Sequence, residues 1–265
     1  MIPARKRWGQ HFLVRPETAN RIVDAARIRA DDTVVEVGPG DGALTRPLAA
    51  RALRLLAIEI DPLRSEALGR ELAGREGVRI RAGDALGRTF GEWLSEAGWA
   101  PPAIFVSNLP YNAATAILLR AIEEEGVFSR AVGTVQKEVA RRFAAVPGSE
   151  GYGYLSVRAA AFAQVRVLFD LAPGAFRPPP KVKSSVLELT PRSPGIGPDE
   201  RKGALHLASL AFRWRRKTVP NALSSAADRR DVERALEEMG CNPRSRPEDL
   251  SLQDYAALAG RIAPP

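Results

Sequence analysis

The stretch SNLPYNAAT, Ser107 to Thr115, places an amide, a proline and an aromatic ring in succession behind an apolar run, Ala103 to Val106, that reads as a buried strand. A plain strand-to-helix turn is built from Gly, Asp or Ser. Asn108 offers a side-chain oxygen, and the backbone carbonyl of Leu109 or Pro110 offers a second acceptor, held by the fixed φ of Pro110. Two acceptors on the hydrogens of a conjugated amine, such as the exocyclic amine of adenine, favour a tetrahedral nitrogen. They also stabilise the positive charge that develops there when the nitrogen is methylated. Tyr111 can stack on a flipped base and favours the cationic nitrogen. No strong base is required, because the ammonium sheds its proton once formed, and the stretch carries no His or Asp. Such chemistry is mostly positioning.

A methyl donor needs its own site. In open α/β sheets that site lies at the carboxyl ends of strands. EVGPGDG, Glu36 to Gly42, puts Gly38, Gly40 and Gly42 in the first strand-helix turn, where the backbone can approach a ligand closely. The spacing is not that of the dinucleotide turn, and Asp41 would repel a pyrophosphate. Glu59 ends the next strand and can accept both hydroxyls of a ribose. Asp84 follows the third strand and can accept from an adenine amino group. The pocket suits a nucleoside without phosphates. Glycine turn, ribose acid and adenine acid in this order resemble the class I S-adenosyl-L-methionine (AdoMet) methyltransferases.

The elements that must position these groups follow from periodicity. TVVEV, LRLLAIEID, VRIRAGDAL, AIFVSN and AVGTVQ read as strands, separated by helical stretches such as PLRSEALGRELAG and AATAILLRAIEE. Helical spacing also marks residues 17–28 and 154–163. Alternation of this kind predicts an α/β fold with a mostly parallel sheet and helices on both faces. VRVLFDLA and SSVLELTP read as a closing antiparallel pair. PRSPGIGPDE is a proline- and glycine-rich break, after which strand signals stop. The boundaries are a catalytic domain over 1–190, a linker over 191–197 and a small all-helical domain over 198–265.

Around NLPY stand RKRWGQHFLV, EVGPGDGALT, IEID, GDAL, QKEVARR, GYGYLSV, PGAFRPPPKVKSSV and FRWRRKTVPNAL. In this order, over nearly the whole chain, they resemble the KsgA/Dim-type small-subunit ribosomal RNA adenine dimethyltransferases. The resemblance implies a Rossmann-like seven-stranded sheet. It also implies N6,N6-dimethylation of two adjacent adenosines in the 3′-terminal hairpin of small-subunit rRNA, within a partly assembled 30S particle. It implies AdoMet contacts from His11, Leu13, Gly38, Glu59, Asp84 and Asn108, with Gly40, Ile60 and Ala85 beside them. Phe176 is implied to sandwich the target base opposite Tyr111. His11 stands where the family often has Asn, and a histidine ring can still bond the methionine end of the cofactor.

With 265 residues and a net charge of +8, the chain is basic, and the cations cluster. Arg5, Lys6 and Arg7 precede the first motif, Lys181 follows a proline run, and FRWRRKT holds a second group. On a helix, Arg213, Arg216 and Lys217 share a face at i, i+3, i+4 and would track RNA phosphates. Trp214 would then anchor the small domain, Tyr152 and Tyr154 are packing residues, and His206 is a core or interface histidine. The single Cys241 excludes an intramolecular disulfide and a Cys-based zinc site, and no metal is expected. No secretory leader or membrane helix is read, so a cytoplasmic monomer is expected. Three rival readings share parts of the pattern: a macrolide-resistance-type large-subunit rRNA dimethyltransferase, a non-catalytic RNA-binding assembly factor, and a DNA adenine methyltransferase.

Overall fold

A computed structural model describes residues 9–262; Arg5, Lys6 and Arg7 lie outside that range. The chain runs through β1 (Phe12–Leu13), α1 (Pro16–Ala25), β2 (Thr33–Val37), α2 (Thr45–Arg51), β3 (Arg54–Glu59), α3 (Pro62–Glu71) and β4 (Val78–Ala82). It continues with α4 (Phe90–Glu96), β5 (Ala103–Asn108), α5 (Ala114–Glu123), β6 (Phe128–Gln136), α6 (Lys137–Ala144), α7 (Tyr154–Ala160) and β7 (Ala163–Leu171). The last elements are β8 (Phe176–Arg177), β9 (Ser184–Pro191), α8 (Pro198–Ala211), α9 (Val219–Ala222), α10 (Arg229–Glu238) and α11 (Leu252–Ala259).

Seven strands form one sheet in the order β4-β3-β2-β5-β6-β9-β7. The pairs from β4 through β6 are parallel, and β9 runs antiparallel to β6. Every residue of β2 is buried, as are five of the six in β3. Parallel strands covered on both faces read as unbroken apolar runs, which is why these segments were legible. Strand order reverses between β2 and β5: the chain goes outward through β3 and β4, then returns to β5. Their carboxyl ends, Gly38 and Asn108, therefore border the crevice where such sheets bind ligands. The sequence reading placed β7 and β9 together; they are neighbours, with β9 between β6 and β7.

Compact units do not divide at a single boundary. One takes the described residues through Ala140 together with Val165–Pro191, and the other takes Arg141–Gln164 and the described residues from Arg192 onward. Arg141–Gln164 thus departs from the expected 1–190 domain. The cause is apolar: Tyr152, Val157 and Ala161 are buried with Leu207, Leu236 and Leu258 in one cluster. The Tyr152 hydroxyl also donates to the Leu250 carbonyl at 2.9 Å.

Three expectations for the second unit are corrected. FRWRRKT is not an α-helix: α8 ends at Ala211, a 3-10 turn covers Phe212–Trp214, and Thr218 is already extended before Pro220 enters α9. Arg213, Arg216 and Lys217 are all exposed, but the i, i+3, i+4 face does not exist. Trp214 is 52% exposed rather than an anchor, and carries the Lys217 ammonium 4.1 Å from its ring centroid. His206, expected in the core or at an interface, is exposed on α8, which removes the core reading.

Gly40 sits at φ +56°, and a Cβ there would stand 2.6 Å from the Phe12 ring. Gly40→Ala combines a left-handed backbone penalty with that clash, so it should destabilise the fold by about 1–3 kcal/mol. Urea unfolding, compared with Gly98→Ala, which is left-handed at φ +77° but open on its Cβ side, would separate the clash from the backbone penalty.

Candidate active site

The glycine turn is built around a carboxylate. Gly38 and Gly40 take φ values of +68° and +56°. Glu59, 1% exposed, accepts from the Gly40 amide at 2.9 Å and from the Asp61 amide at 2.9 Å. Burial raises its pKa, and those two amides oppose the rise. Arg64 completes the turn. Its side chain is fully buried, ion-paired to Asp41 of the turn, with Nε 3.8 Å from Asp61, and its guanidinium lies 4.2 Å from the Phe12 ring centroid.

On the β5 side, Asn108 follows the last buried residues of the strand. Its Nδ2 donates to the His11 carbonyl at 2.9 Å. Its Oδ1 is buried and has no partner. A buried acceptor left open at the wall of a cleft is what an incoming amine would satisfy. The Pro110 carbonyl accepts from the Ala113 and Ala114 amides at 3.0 and 2.9 Å, so both its lone pairs are engaged. Between the two carbonyls left open by the sequence, Leu109 is the one with capacity. The Tyr111 hydroxyl bonds Ser184 Oγ, and its ring centroid is 4.9 Å from that of His11. His11 Nδ1–H donates to the Pro178 carbonyl at 2.7 Å.

An open cleft lies between these groups. Of the sequence-selected residues, His11, Gly38, Glu59, Ile60, Asn108, Leu109 and Pro110 line it. Leu13 does not: β1 alternates, so Phe12 faces the cleft and Leu13 is buried among Ile22, Ala175 and Phe176. Phe176 is 3% exposed, paired with Leu13 in the β1–β8 ladder, so in this structure it packs the core and leaves no face for a base. Asp84 is exposed beyond β4, accepting from the Leu86 amide at 2.9 Å, and Ala85 is buried; neither reaches the cleft wall. Gln10, Phe12, Asn112 and Ala113 line the cleft and Arg64 supports it, none of them singled out from sequence. Lys181 is exposed in the loop before β9. Among the described residues no His, Cys, Asp or Glu cluster is placed to hold a metal, and no helix is long and apolar enough to cross a membrane.

The family model for ribosomal RNA adenine dimethylase matches residues 1–263. The chain belongs to that family. The chain is 42% identical, over 98% of its length, to ribosomal RNA small subunit methyltransferase A of Rubrobacter xylanophilus, covering 95% of that protein. Against the protein of the same name from Nitrosococcus oceani, identity is 40% over 96% of the chain and 94% of the relative. Among solved structures, a dimethyladenosine transferase from Plasmodium falciparum superposes with TM-score 0.79 at 24% identity, over 95% of this chain and 99% of that one, which speaks to the fold. The 23S rRNA methyltransferase ErmE superposes with TM-score 0.72 at 26% identity and the same coverage. The rRNA adenine dimethylase family thus shares with its neighbours the class I methyltransferase fold expected from sequence.

Glu36, two residues before the turn, is buried, and burial together with the charge of Glu59 pushes its pKa up to about 8 from 4.5. Between those values the folded chain holds a proton that the unfolded chain has lost. Its stabilising contribution is therefore full below about 4.5 and is lost as pH rises through about 8. Glu59 shifts in the same direction. The melting temperature should fall with rising pH across this window. Glu36→Gln, which keeps the neutral shape, should flatten the slope in parallel thermal melts.

Proposed function

We propose that this chain dimethylates N6 of two adjacent adenosines in the 3′-terminal hairpin of small-subunit rRNA, using AdoMet, during small-subunit assembly. The unpartnered Oδ1 of Asn108 carries the reading, since it is a buried acceptor waiting at the strand end where the two ligand-binding turns meet. The small-subunit names of relatives at 42% and 40% identity favour that substrate over the large-subunit one, whose structural neighbour stands at 26%.

The residues present suit AdoMet. Backbone glycines and acids line the first turn, and the nearest buried cation, Arg64, is occupied by Asp41, so nothing there favours a phosphate. Glu59 takes the ribose hydroxyls with the lone pairs its amide bonds leave. Ile60, 42% exposed, offers an apolar face beside it. Asp84, exposed beyond β4 and outside the cleft wall, takes the adenine amine of a cofactor that extends past that wall. His11 and Gly38 border the methionine end. When bound, AdoMet supplies a methyl carried on a positively charged sulfur. Asn108 Oδ1 and the Leu109 carbonyl accept the two N6 hydrogens of the target adenine, drawing its lone pair out of conjugation. Tyr111 stacks on the base and steadies the charge that forms at nitrogen. The proton leaves to solvent. Phe176 joins the base only if the β8 loop opens from its buried position.

RNA is held by the exposed cations Lys181, in the loop before β9, and Arg213, Arg216 and Lys217, around the 3-10 turn, together with Arg5, Lys6 and Arg7, which lie outside the described residues. The enzyme acts as a cytoplasmic monomer on a partly assembled 30S particle.

Asn108→Ala should lower kcat by about 10²–10³-fold on small-subunit particles, read as dimethyladenosine by mass spectrometry. A variant that still methylates at the wild-type rate overturns the reading. Replacing Arg213, Arg216 and Lys217 together by Ala should weaken particle binding and reduce the salt slope by about 2–3, at roughly 0.7–0.9 per phosphate contact. AdoMet affinity, measured by calorimetry, should not change.

A further inference from the structure

With Phe176 packed inside, Tyr111 is the sequence-predicted ring left to receive the base, and its orientation decides how the amine meets Asn108. We propose that Ser184 is a positioning residue for the methyl transfer: its hydroxyl anchors the tip of the Tyr111 ring, whose face is set by the His11 ring beside it. The inference rests on the reading of Tyr111 as the base platform.

Ser184 is fully buried and opens β9. Because β9 runs antiparallel to β6, its first residue pairs with the last of β6, Gln136. Asn108 pairs with Thr134 of the same strand, so Ser184 stands at the sheet edge that carries the site. The antiparallel turn of the sheet thus delivers a hydroxyl to an edge otherwise formed by parallel strand ends. The backbone on either side of Ser184 is tied down. The Lys183 carbonyl accepts from the Lys137 amide at 2.9 Å. Ser185 Oγ donates to Asp170 at 2.6 Å, and Asp170 is ion-paired to Lys137.

Tyr111 is consequently held at two points, its hydroxyl by Ser184 and its ring against His11. A ring pinned at its tip cannot swing about Cβ, and the His11 ring against it limits its turning about its own axis, so the platform is preset before the base arrives. Desolvation raises the Tyr111 pKa, consistent with a phenol whose polar tip is served by Ser184 rather than by water. Nothing in sheet formation requires a hydroxyl at this position; a small apolar residue would pair equally well through its backbone.

The test is steady-state methylation of small-subunit particles by wild type, Ser184→Ala, Tyr111→Phe and the double variant. Rates are normalised to AdoMet-binding stoichiometry, so that misfolded protein is discounted. Each single variant should lose about tenfold in kcat with AdoMet Kd unchanged, a modest share of what misplacement can cost. The double variant should be no slower than the slower single, since the two groups act through one bond. Wild-type kcat in Ser184→Ala, or losses that multiply in the double variant, would overturn the proposal. A wild type inactive on these particles but active on large-subunit rRNA would instead overturn the substrate reading. The same four proteins would then test Ser184 on that RNA.

Discussion

A carboxylate buried at the end of one strand and bonded to the backbone of the turn after its neighbour holds this site together. Glu59 on β3 accepts from Gly40 beyond β2. Desolvating that carboxylate is costly, and two backbone amides and the nearby Arg64 offset the cost. The bond fixes a turn in which Gly40 has φ +56°, and the missing Cβ is what admits Phe12. Phe12 in turn lies against Arg64, whose other partner is Asp41 of the same turn. Turn, N-terminal segment and α3 thereby become one closed set of contacts. Loosening Glu59 releases Phe12, and with it the segment that carries His11.

His11 is where the two halves of the site meet. Its carbonyl takes the Asn108 amide N–H, which leaves Oδ1 buried and without a partner. Its ring lies against Tyr111 and donates to Pro178 of the loop after Phe176. A histidine ring offers a flat face against Tyr111 and a donor for Pro178. His11 thereby links the NLPY turn to the loop after β8.

The strands, the glycine turn and the NLPY turn were legible because their signals are local: apolar runs, left-handed glycines, a proline that fixes its neighbour. What sequence hid is non-local. The β1–β8 ladder joins Phe12 to Arg177 across most of the catalytic unit, and neither segment has the length of an ordinary strand. That ladder decides that Phe12 faces the cleft while Leu13 and Phe176 go inside. Arg64 reads as a surface residue of an amphipathic helix; only the convergence of Asp41, Asp61 and Phe12 makes it a buried one. FRWRRKT reads as helix because its residues favour one, but α8 has already ended and Pro220 fixes the start of the next helix.

Charge then sorts what may enter. The cleft wall carries Glu59, with Glu36 buried behind the turn, whereas the loop leading to β9 exposes Arg177, Lys181 and Lys183. Glu36 holds its proton below about pH 8, so the acid that meets a cationic sulfonium at the cleft wall is Glu59. A phosphodiester is repelled from it and drawn to the basic loop outside, over distances of about one Debye length, roughly 8 Å in physiological salt. RNA backbone is thus kept at the rim, and the part of a nucleotide that can cross into the cleft without a charge penalty is the neutral base. That favours unstacking of a target base as its way into the cleft. A net charge of +8 and a cleft whose wall carries Glu59 thus present opposite signs to a nucleotide, one to its phosphates and one to its neutral base.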